Sequence, residues 1–446
     1  MTHYFPEDNK VKRGKVNLIT LGCSKNLVDS EMLLNQLSLN GFKVVHESVK
    51  DDANIVILNT CGFIGDAKEE SINTILNFAD ARKTGKLDKL LVMGCLSARY
   101  KDELIREIPE VDRFYGKFDF HQIINDLNAN FFEDKLYHRI LTTPPHFAYL
   151  KISEGCNRTC SFCAIPRFTG RYQSRTIGSL IEEAQRLVSA GVKELLLIAQ
   201  DLSYYGIDLY GENKLAELVE RLADIERLDW IRLHYTYPAK FPVDVLKVMR
   251  ERDNVCKYLD IPLQHISDKM LGMMRRRITR SETINLLNQI REEVPGIALR
   301  TTFMVGHPGE TEDDFEELKT FIQKFPFERL GVFTFSNEED TYAWDKYTDD
   351  IPQEIKDERA AELMDIQQGI SADLNTRLEG KILKVLIDSE EGGFFIGRTE
   401  YDSPEVDGEV LIEKASGINL GNFYPVQITS SSDFDLYGKA LKEVKS

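Results

Sequence analysis

The sequence predicts an α/β protein in three parts: an N-terminal α/β parallel-sheet domain, a partial (β/α)6 barrel, and a small all-β barrel at the C-terminus. Three observations lead there. Short apolar runs alternate with amphipathic stretches in two successive series, the pattern of parallel strands joined by crossover helices. A Pro-rich break, "TTPPH", separates the two series. From about residue 377 the helical pattern gives way to short β-runs punctuated by turn residues. The expected domains cover residues 14–132, 142–372 and 375–441, in keeping with a chain of 446 residues, too long for one ordinary core.

In the first series, "VNLITLGC", "ANIVILNTC" and "KLLVMGC" are continuous apolar runs of the kind buried on both faces of a parallel sheet. "AKEESINTILNFADARKTG" supplies an amphipathic crossover between two of them. Each run ends in a cysteine: Cys23, Cys61 and Cys95. Ligands in open parallel sheets bind beyond the carboxyl ends of strands, so these three side chains can meet on one rim. A thiol is also a common small core residue.

The second series has six candidate strands: "FAYLKIS", "KELLLIAQD", "WIRLHYTYP", "CKYLDIPLQH", "ALRTTFMVGHPG" and "RLGVFTFS". Helices are expected at about 177–190, 213–227, 242–252, 268–293 (broken) and 311–325. Six units rather than eight give a barrel open on one side, with its site at the C-terminal ends of the strands. A charged helix, "PQEIKDERAAELMDIQQGISADLNTRLEG", connects to the β-runs "KILKVLID", "FFIGRTEY", "EVLIEK" and "FYPVQITSSS", which read as a small barrel.

Composition narrows the function classes. At 42% hydrophobic and 29% charged, the chain is globular. No apolar run reaches membrane-helix length, and the start "MTHYFPEDNKVKRGK" lacks a signal-peptide core, so a cytoplasmic protein without a membrane partner is expected. Seven cysteines in such a chain point to metal or catalysis rather than disulfides. The net charge of −17 argues against long tracts of DNA or RNA and towards a basic partner.

The densest chemistry lies in "SEGCNRTCSFCAIPRFTGRYQSR", right after the first strand of the second series. Cys156, Cys160 and Cys163 follow the spacing C-x3-C-x2-C. Thiolates suit zinc or iron–sulfur clusters. A structural zinc would need a fourth ligand, for which His146, His234, His265 and His307 are the candidates. A cubane held by three thiolates leaves one iron open for a reactive cofactor.

"CNRTCSFC" resembles the C-x3-C-x-aromatic-C signature of radical S-adenosylmethionine (SAM) enzymes, with Phe162 at the aromatic position. With "LGCSKNLVDSE", "NTCGFIGDAKEES" and "VMGCL" ahead of it, and a C-terminal region similar to a TRAM domain, nearly the whole chain resembles the methylthiotransferase family. The resemblance implies two 4Fe-4S clusters, one on Cys156, Cys160 and Cys163 and an auxiliary one on Cys23, Cys61 and Cys95. It implies SAM at the first cluster's open iron, near Phe162, and a reductant such as flavodoxin or ferredoxin. The sulfur donor is unnamed by the sequence. Gln200 and Asp201 in "AQDLSYYG" and Gly306 in "GHPGET" become candidate SAM contacts. The alternative for Gly306 is a plain tight turn. Arg171 and Arg175 could meet the SAM carboxylate. Many relatives have arginine-glycine where this chain has Thr169–Gly170. Cys256 carries no motif and reads as a buried thiol.

The family's branches act on an adenosine of transfer RNA or on an aspartate of ribosomal protein S12 in the small ribosomal subunit. Residues 377–446 hold eight Lys and Arg against thirteen Asp and Glu, a balance of −5. A module for RNA phosphates should be basic, and one for a Lys/Arg-rich ribosomal protein acidic. "SKNLVDSE" and "DSPEVDG" resemble the ribosomal-protein branch as well. The expected activity is therefore β-methylthiolation of an S12 aspartate, with tRNA adenosine methylthiolation as the alternative. A non-catalytic iron or zinc module for assembly is the reading from another class.

Overall fold

A computed structural model describes residues 14–50 and 52–441. The chain divides into two compact units, Met1–Thr142 with Arg167–Thr169, and Thr143–Pro166 with Gly170–Ser446.

The first unit is a five-stranded, all-parallel sheet in the order β2-β1-β3-β4-β5. Its strands are β1 (Lys15–Thr20), β2 (Lys43–His46), β3 (Ile55–Thr60), β4 (Lys89–Gly94) and β5 (Arg113–Phe114). The helices are α1 (Ser24–Leu39), α2 (Gly65–Lys83), α3 (Cys95–Glu107) and α4 (Phe120–Asp126). The three apolar runs form the central strands β1, β3 and β4. β3 is buried along its whole length, as a strand covered on both faces must be. Edge strands β2 and β5, of four and two residues, escape the sequence pattern because neither carries an apolar run long enough to register.

In the second unit, six parallel strands stand in strict chain order, β6 to β9–β13, as an open barrel. They are β6 (Phe147–Lys151), β9 (Glu194–Ile198), β10 (Trp230–Leu233), β11 (Val255–Asp260), β12 (Ala298–Val305) and β13 (Arg329–Thr334). A short antiparallel pair, β7 (Ser153–Glu154) and β8 (Gln173–Ser174), brackets the cysteine loop. The crossover helices are α5 (Ile177–Ser189), α6 (Leu215–Ala223), α7 (Asp244–Glu251), α8 (Arg280–Glu293) and α9 (Glu312–Lys324). Capping boxes at Thr279/Glu282 and Thr311/Asp314 start α8 and α9. The expected break in 268–293 is real: Asp268–Met273 is a separate short helix, and Arg275 and Arg277 take left-handed φ of 57° and 55° in the turn after it.

After α10 (Gln353–Thr376), β14 (Ile382–Glu391), β15 (Phe394–Arg398), β16 (Val410–Glu413), β17 (Phe423–Ser431) and β18 (Leu436–Ala440) close into a five-stranded barrel. It packs on the N-terminal ends of the six strands, the end away from the cysteine loop. Phe423 meets Trp230, the first residue of β10, edge to face at 4.7 Å, and Leu386 joins Trp230, Cys256, Tyr258 and Ala298 in one apolar cluster. Cys256 is thus a core thiol, pushed up to about 12 by burial.

The contact is also heavily charged. Glu194 accepts from Arg232 and Arg398, each at 2.8 Å, and all three are buried. The segment after β15 bonds with side chains of five strands. Tyr149 of β6 donates to Glu405, Arg232 of β10 to the Glu400 carbonyl, and Tyr258 of β11 to Asp407. Arg300 of β12 pairs with Asp407, and Arg329 of β13 with Asp402. Only a segment seated across the barrel end can reach strands on all sides, so residues 399–409 stopper the six-stranded barrel from below.

Candidate functional site

In the first unit the three cysteines leave the C-terminal ends of adjacent strands. Cys61 directly follows β3 and Cys95 directly follows β4, as residue one of α3. β1 stops earlier than its apolar run suggests, at Thr20, so Cys23 sits three residues on, capping α1. Asn26 ties the loops together: its side-chain amide donates to the Leu21 and Thr60 carbonyls, and Cys95 Sγ lies 3.7 Å from its Oδ1. Ser71 holds the Cys61 backbone from both sides at 3.0 Å. Glycine permits the approach. Gly94 has φ +104°, and a Cβ there would lie 2.4 Å from the Thr60 carbonyl oxygen; a Cβ on Gly22 would lie 2.8 Å from Cys61 Sγ.

The thiols are electrostatically unequal. Burial pushes Cys61 up and Cys95 up to about 12, and each also feels the charge of Cys23. Burial acts on Cys23 too, but Lys25 and Lys117, then the N–H groups of Asn26 and Lys25 at the start of α1, pull it below its ordinary value.

In the second unit Cys156, Cys160 and Cys163 line one cavity of about 130 Å³ beyond the ends of β9 and β10, together with Phe162 and Gln200. The loop is held by Cys156 N–H on the Gly170 carbonyl at 3.2 Å and Ser161 N–H on the Met274 carbonyl at 3.0 Å. Burial raises Cys156 to about 11 and Cys163 further. The cavity's other walls include Arg158, Tyr237 and Arg276, which sequence reasoning passed over. Arg158 lies inside the cysteine motif. Arg276 is the middle arginine of "RRR" (275–277), a run that looks like solvated surface, and left-handed residues stand on either side of it.

Several sequence expectations fall elsewhere. The Arg175 guanidinium is engaged by Glu183 at 2.6 Å, the Lys151 carbonyl and Ser179, and is not among the cavity's lining residues. Arg171 is exposed and also outside the lining. Gly306, with φ +75°, donates its N–H to Glu310 at 2.7 Å and faces Lys356, so it serves a tight turn. Asp201 is buried and bonds Arg158 at 2.6 Å. None of the four histidines lines the cavity: His146 meets Asp388, His234 meets Ser403, His307 meets Ser161, and His265 takes the Ser267 N–H. A zinc completed by one of these histidines has no support in this geometry. Among the described residues no group of three or more His, Cys, Asp or Glu side chains is arranged around a single ion. The ligands of a cubane each take a different iron and need not converge on one point, so three thiols per site suit a cluster.

Comparison with known proteins matches this geometry. Residues 150–322 match the radical SAM superfamily, residues 15–116 "Uncharacterized protein family UPF0004", and residues 380–441 the TRAM domain. A protein of Bacteroides thetaiotaomicron named ribosomal protein uS12 methylthiotransferase RimO is 57% identical over 434 residues, 97% of this chain and all of that protein. The chain belongs to the ribosomal protein uS12 methylthiotransferase family. Other members of that family, from Bacteroides fragilis and Cytophaga hutchinsonii, are 58% and 52% identical, each over 97% of this chain and 100% and 99% of their own length. Among solved structures, the radical SAM methyltransferase TsrM from Kitasatospora setae, with cobalamin and a [4Fe-4S] cluster bound, superposes with a TM-score of 0.55 at 14% identity. It covers 91% of this chain and 83% of its own, and shares the fold.

Proposed function

We propose that this chain replaces a hydrogen on the β-carbon of an aspartate in ribosomal protein S12 with a methylthio group. The observation that carries the reading is the pair of separate three-thiol sites, each at the C-terminal end of a parallel sheet. Cys156, Cys160 and Cys163 would hold one 4Fe-4S cluster, and Cys23, Cys61 and Cys95 the other. When bound, the clusters and SAM supply the carbon-centred radical chemistry and the sulfur, which no acid or base side chain can supply. The protein's own share is positional. The β7–β8 pair and the Ser161–Met274 contact fix the cysteine loop, and Phe162 and Gln200 line the cavity beside it. Buried surroundings exclude water from thiols that must be deprotonated to bind iron.

Membership of the uS12 branch favours the ribosomal protein over transfer RNA as target. A reductant of the flavodoxin or ferredoxin class would deliver electrons. No helix among the described residues is long and apolar enough to cross a membrane, and a ribosomal target supports a cytoplasmic location.

The test offers anaerobically reconstituted enzyme, SAM, reductant and sulfide to S12 in one tube and bulk transfer RNA in another. A methylthio gain by mass spectrometry on an aspartate peptide alone is the expected result. A gain on a nucleoside alone overturns the target. One or two zincs per chain in place of about eight irons would overturn the enzyme reading in favour of an assembly module.

A further inference from the structure

Arg276 is 4% exposed, and among the described residues it forms no ion pair with a carboxylate. A guanidinium taken out of water without a counter-charge costs several kcal/mol, so a buried one needs a partner. The groups that surround it are few. Nη2 donates to the Pro262 carbonyl, Nε has no partner, and Nη1 donates to Cys160 Sγ at 3.4 Å. Among the described residues the Cys160 sulfur is thus the one cysteine sulfur hydrogen-bonded by Arg276, while the Asp201 carboxylate, bonded to Arg158, acts on it through space.

The placement is rigidly built. Tyr237, itself 6% exposed, donates its hydroxyl to the Arg276 carbonyl at 2.6 Å and lies 3.9 Å from Cys160 Sγ. Two guanidinium groups lie over its ring, Arg276 at 4.3 Å and Arg158 at 4.0 Å from the ring centre. Arg158 pairs with Asp201 at 2.6 Å, whereas Arg276 feels that carboxylate only through space and makes no contact ion pair among the described residues. Left-handed backbone at Arg275 and Arg277 turns Arg276 inward between two outward neighbours, a conformation that costs energy and calls for a return.

We propose that Arg276, positioned by Tyr237, is the counter-charge of the SAM-site cluster, and that its N–H bond to the Cys160 sulfur raises that cluster's reduction potential. The inference rests on Cys156, Cys160 and Cys163 holding that cluster. Taking up one electron adds one negative charge, and a fixed cation beside a ligand sulfur favours the more negative state. The hydrogen bond is one-sided: among the described residues Cys160 alone of the three thiols has a guanidinium donor on its sulfur, although the charge of Arg276 also reaches Cys163.

The test uses the full chain with Cys23, Cys61 and Cys95 changed to alanine, so that one cluster remains. The cluster is titrated with dithionite without SAM, its reduced form followed by electron paramagnetic resonance. Relative to this parent, Arg276→Met should favour the oxidised form at least tenfold at a fixed potential, a midpoint at least 59 mV more negative for one electron. Arg276→Lys, which keeps the charge but loses the planar fork and the ring stacking, should fall between. Unchanged midpoints in both variants, with cluster bound, overturn the proposal. So does a variant whose only change is weaker SAM binding, because the guanidinium then serves the cofactor rather than the cluster. If Arg276→Met holds no iron, Arg276→Lys decides: a lowered midpoint supports the proposal and an unchanged one overturns it. A parent without iron would instead overturn the assignment of the three cysteines, a distinguishable failure.

Discussion

Glu194 begins β9 and sits with no exposure between two arginines, one from the six-stranded barrel and one from the C-terminal barrel. Burial alone would raise its carboxyl, but Arg398 and Arg232 hold it below its ordinary value, so it is a carboxylate at neutral pH. Glu194→Gln keeps the shape and removes the charge. One of the two acceptors becomes an NH2 group facing a guanidinium, and two charge-assisted bonds, worth about 1.5–3 kcal/mol each, are lost or weakened. Arg398 keeps Asp388, but Arg232 is left with the carbonyls of Thr399 and Glu400. The cost should be about 3–5 kcal/mol, the range for breaking a buried pair from one side. It should appear as opening of the C-terminal barrel, read by native-state hydrogen exchange of β14–β18. Their amides should exchange roughly 10² to 4 × 10³ times faster, at about tenfold per 1.4 kcal/mol. The double change Glu194→Leu with Arg232→Met should cost less than Glu194→Gln, because it strands no charge. A single-variant effect below tenfold would refute the idea that this triad holds the two barrels together. Equal acceleration in β1–β5 would refute its locality.

Other outcomes follow from the same contacts. Alanine at Cys156, Cys160 or Cys163 should drop iron from about eight to about four per chain, whereas Cys256→Ser should leave iron unchanged and cost stability through a buried polar atom. Gly94→Ala should lose the auxiliary cluster's share of iron, since its Cβ would strike the Thr60 carbonyl and swing Cys95 away; full iron would refute the close approach. His265 is held down to about 3 by burial, so the unfolded chain takes up its proton from pH 6.5 downward while the native chain does not. Native stability therefore falls with pH through that window. Between pH 6 and pH 5, wild type should lose about 1 kcal/mol more than His265→Gln in unfolding free energy, and parallel losses would refute it.

The parts of this molecule most visible in its sequence are those whose environment is uniform. β3 and β9 are buried on every side, so their residues form unbroken apolar runs, and the cysteines stand where such runs end. What stayed hidden depends on partners distant in sequence. The acidic balance of residues 377–446 looked like a docking surface for a basic protein. Yet Asp388, Asp402 and Asp407 are spent on Arg398, Arg329 and Arg300 inside the molecule, and "DSPEVDG" lies in the stopper. Among the described residues of that region, exposed Glu379, Glu390, Glu391, Glu405, Glu409, Glu413 and Asp433 face exposed Arg377, Lys381, Lys384, Lys414 and Lys439. Seven against five is a slender surplus, so the branch assignment stands on kinship more than on charge. Arg276 was hidden for the opposite reason, as a buried cation within a run of three arginines.

The charged stopper also limits how this protein can be dissected. A chain cut before β14 would not be the catalytic part minus an appendage. It would leave Arg329 without Asp402, Arg300 without Asp407, and Glu194 with one guanidinium where it had two. Loss of activity in such a fragment would report damage to the barrel's foundations and say nothing about substrate capture. Nor are the two barrels interchangeable cassettes: a C-terminal barrel borrowed from a relative would need carboxylates in register with these particular arginines. Substrate capture is better dissected in the intact chain, by reversing exposed charges such as Glu390, Glu391 and Glu413 one at a time.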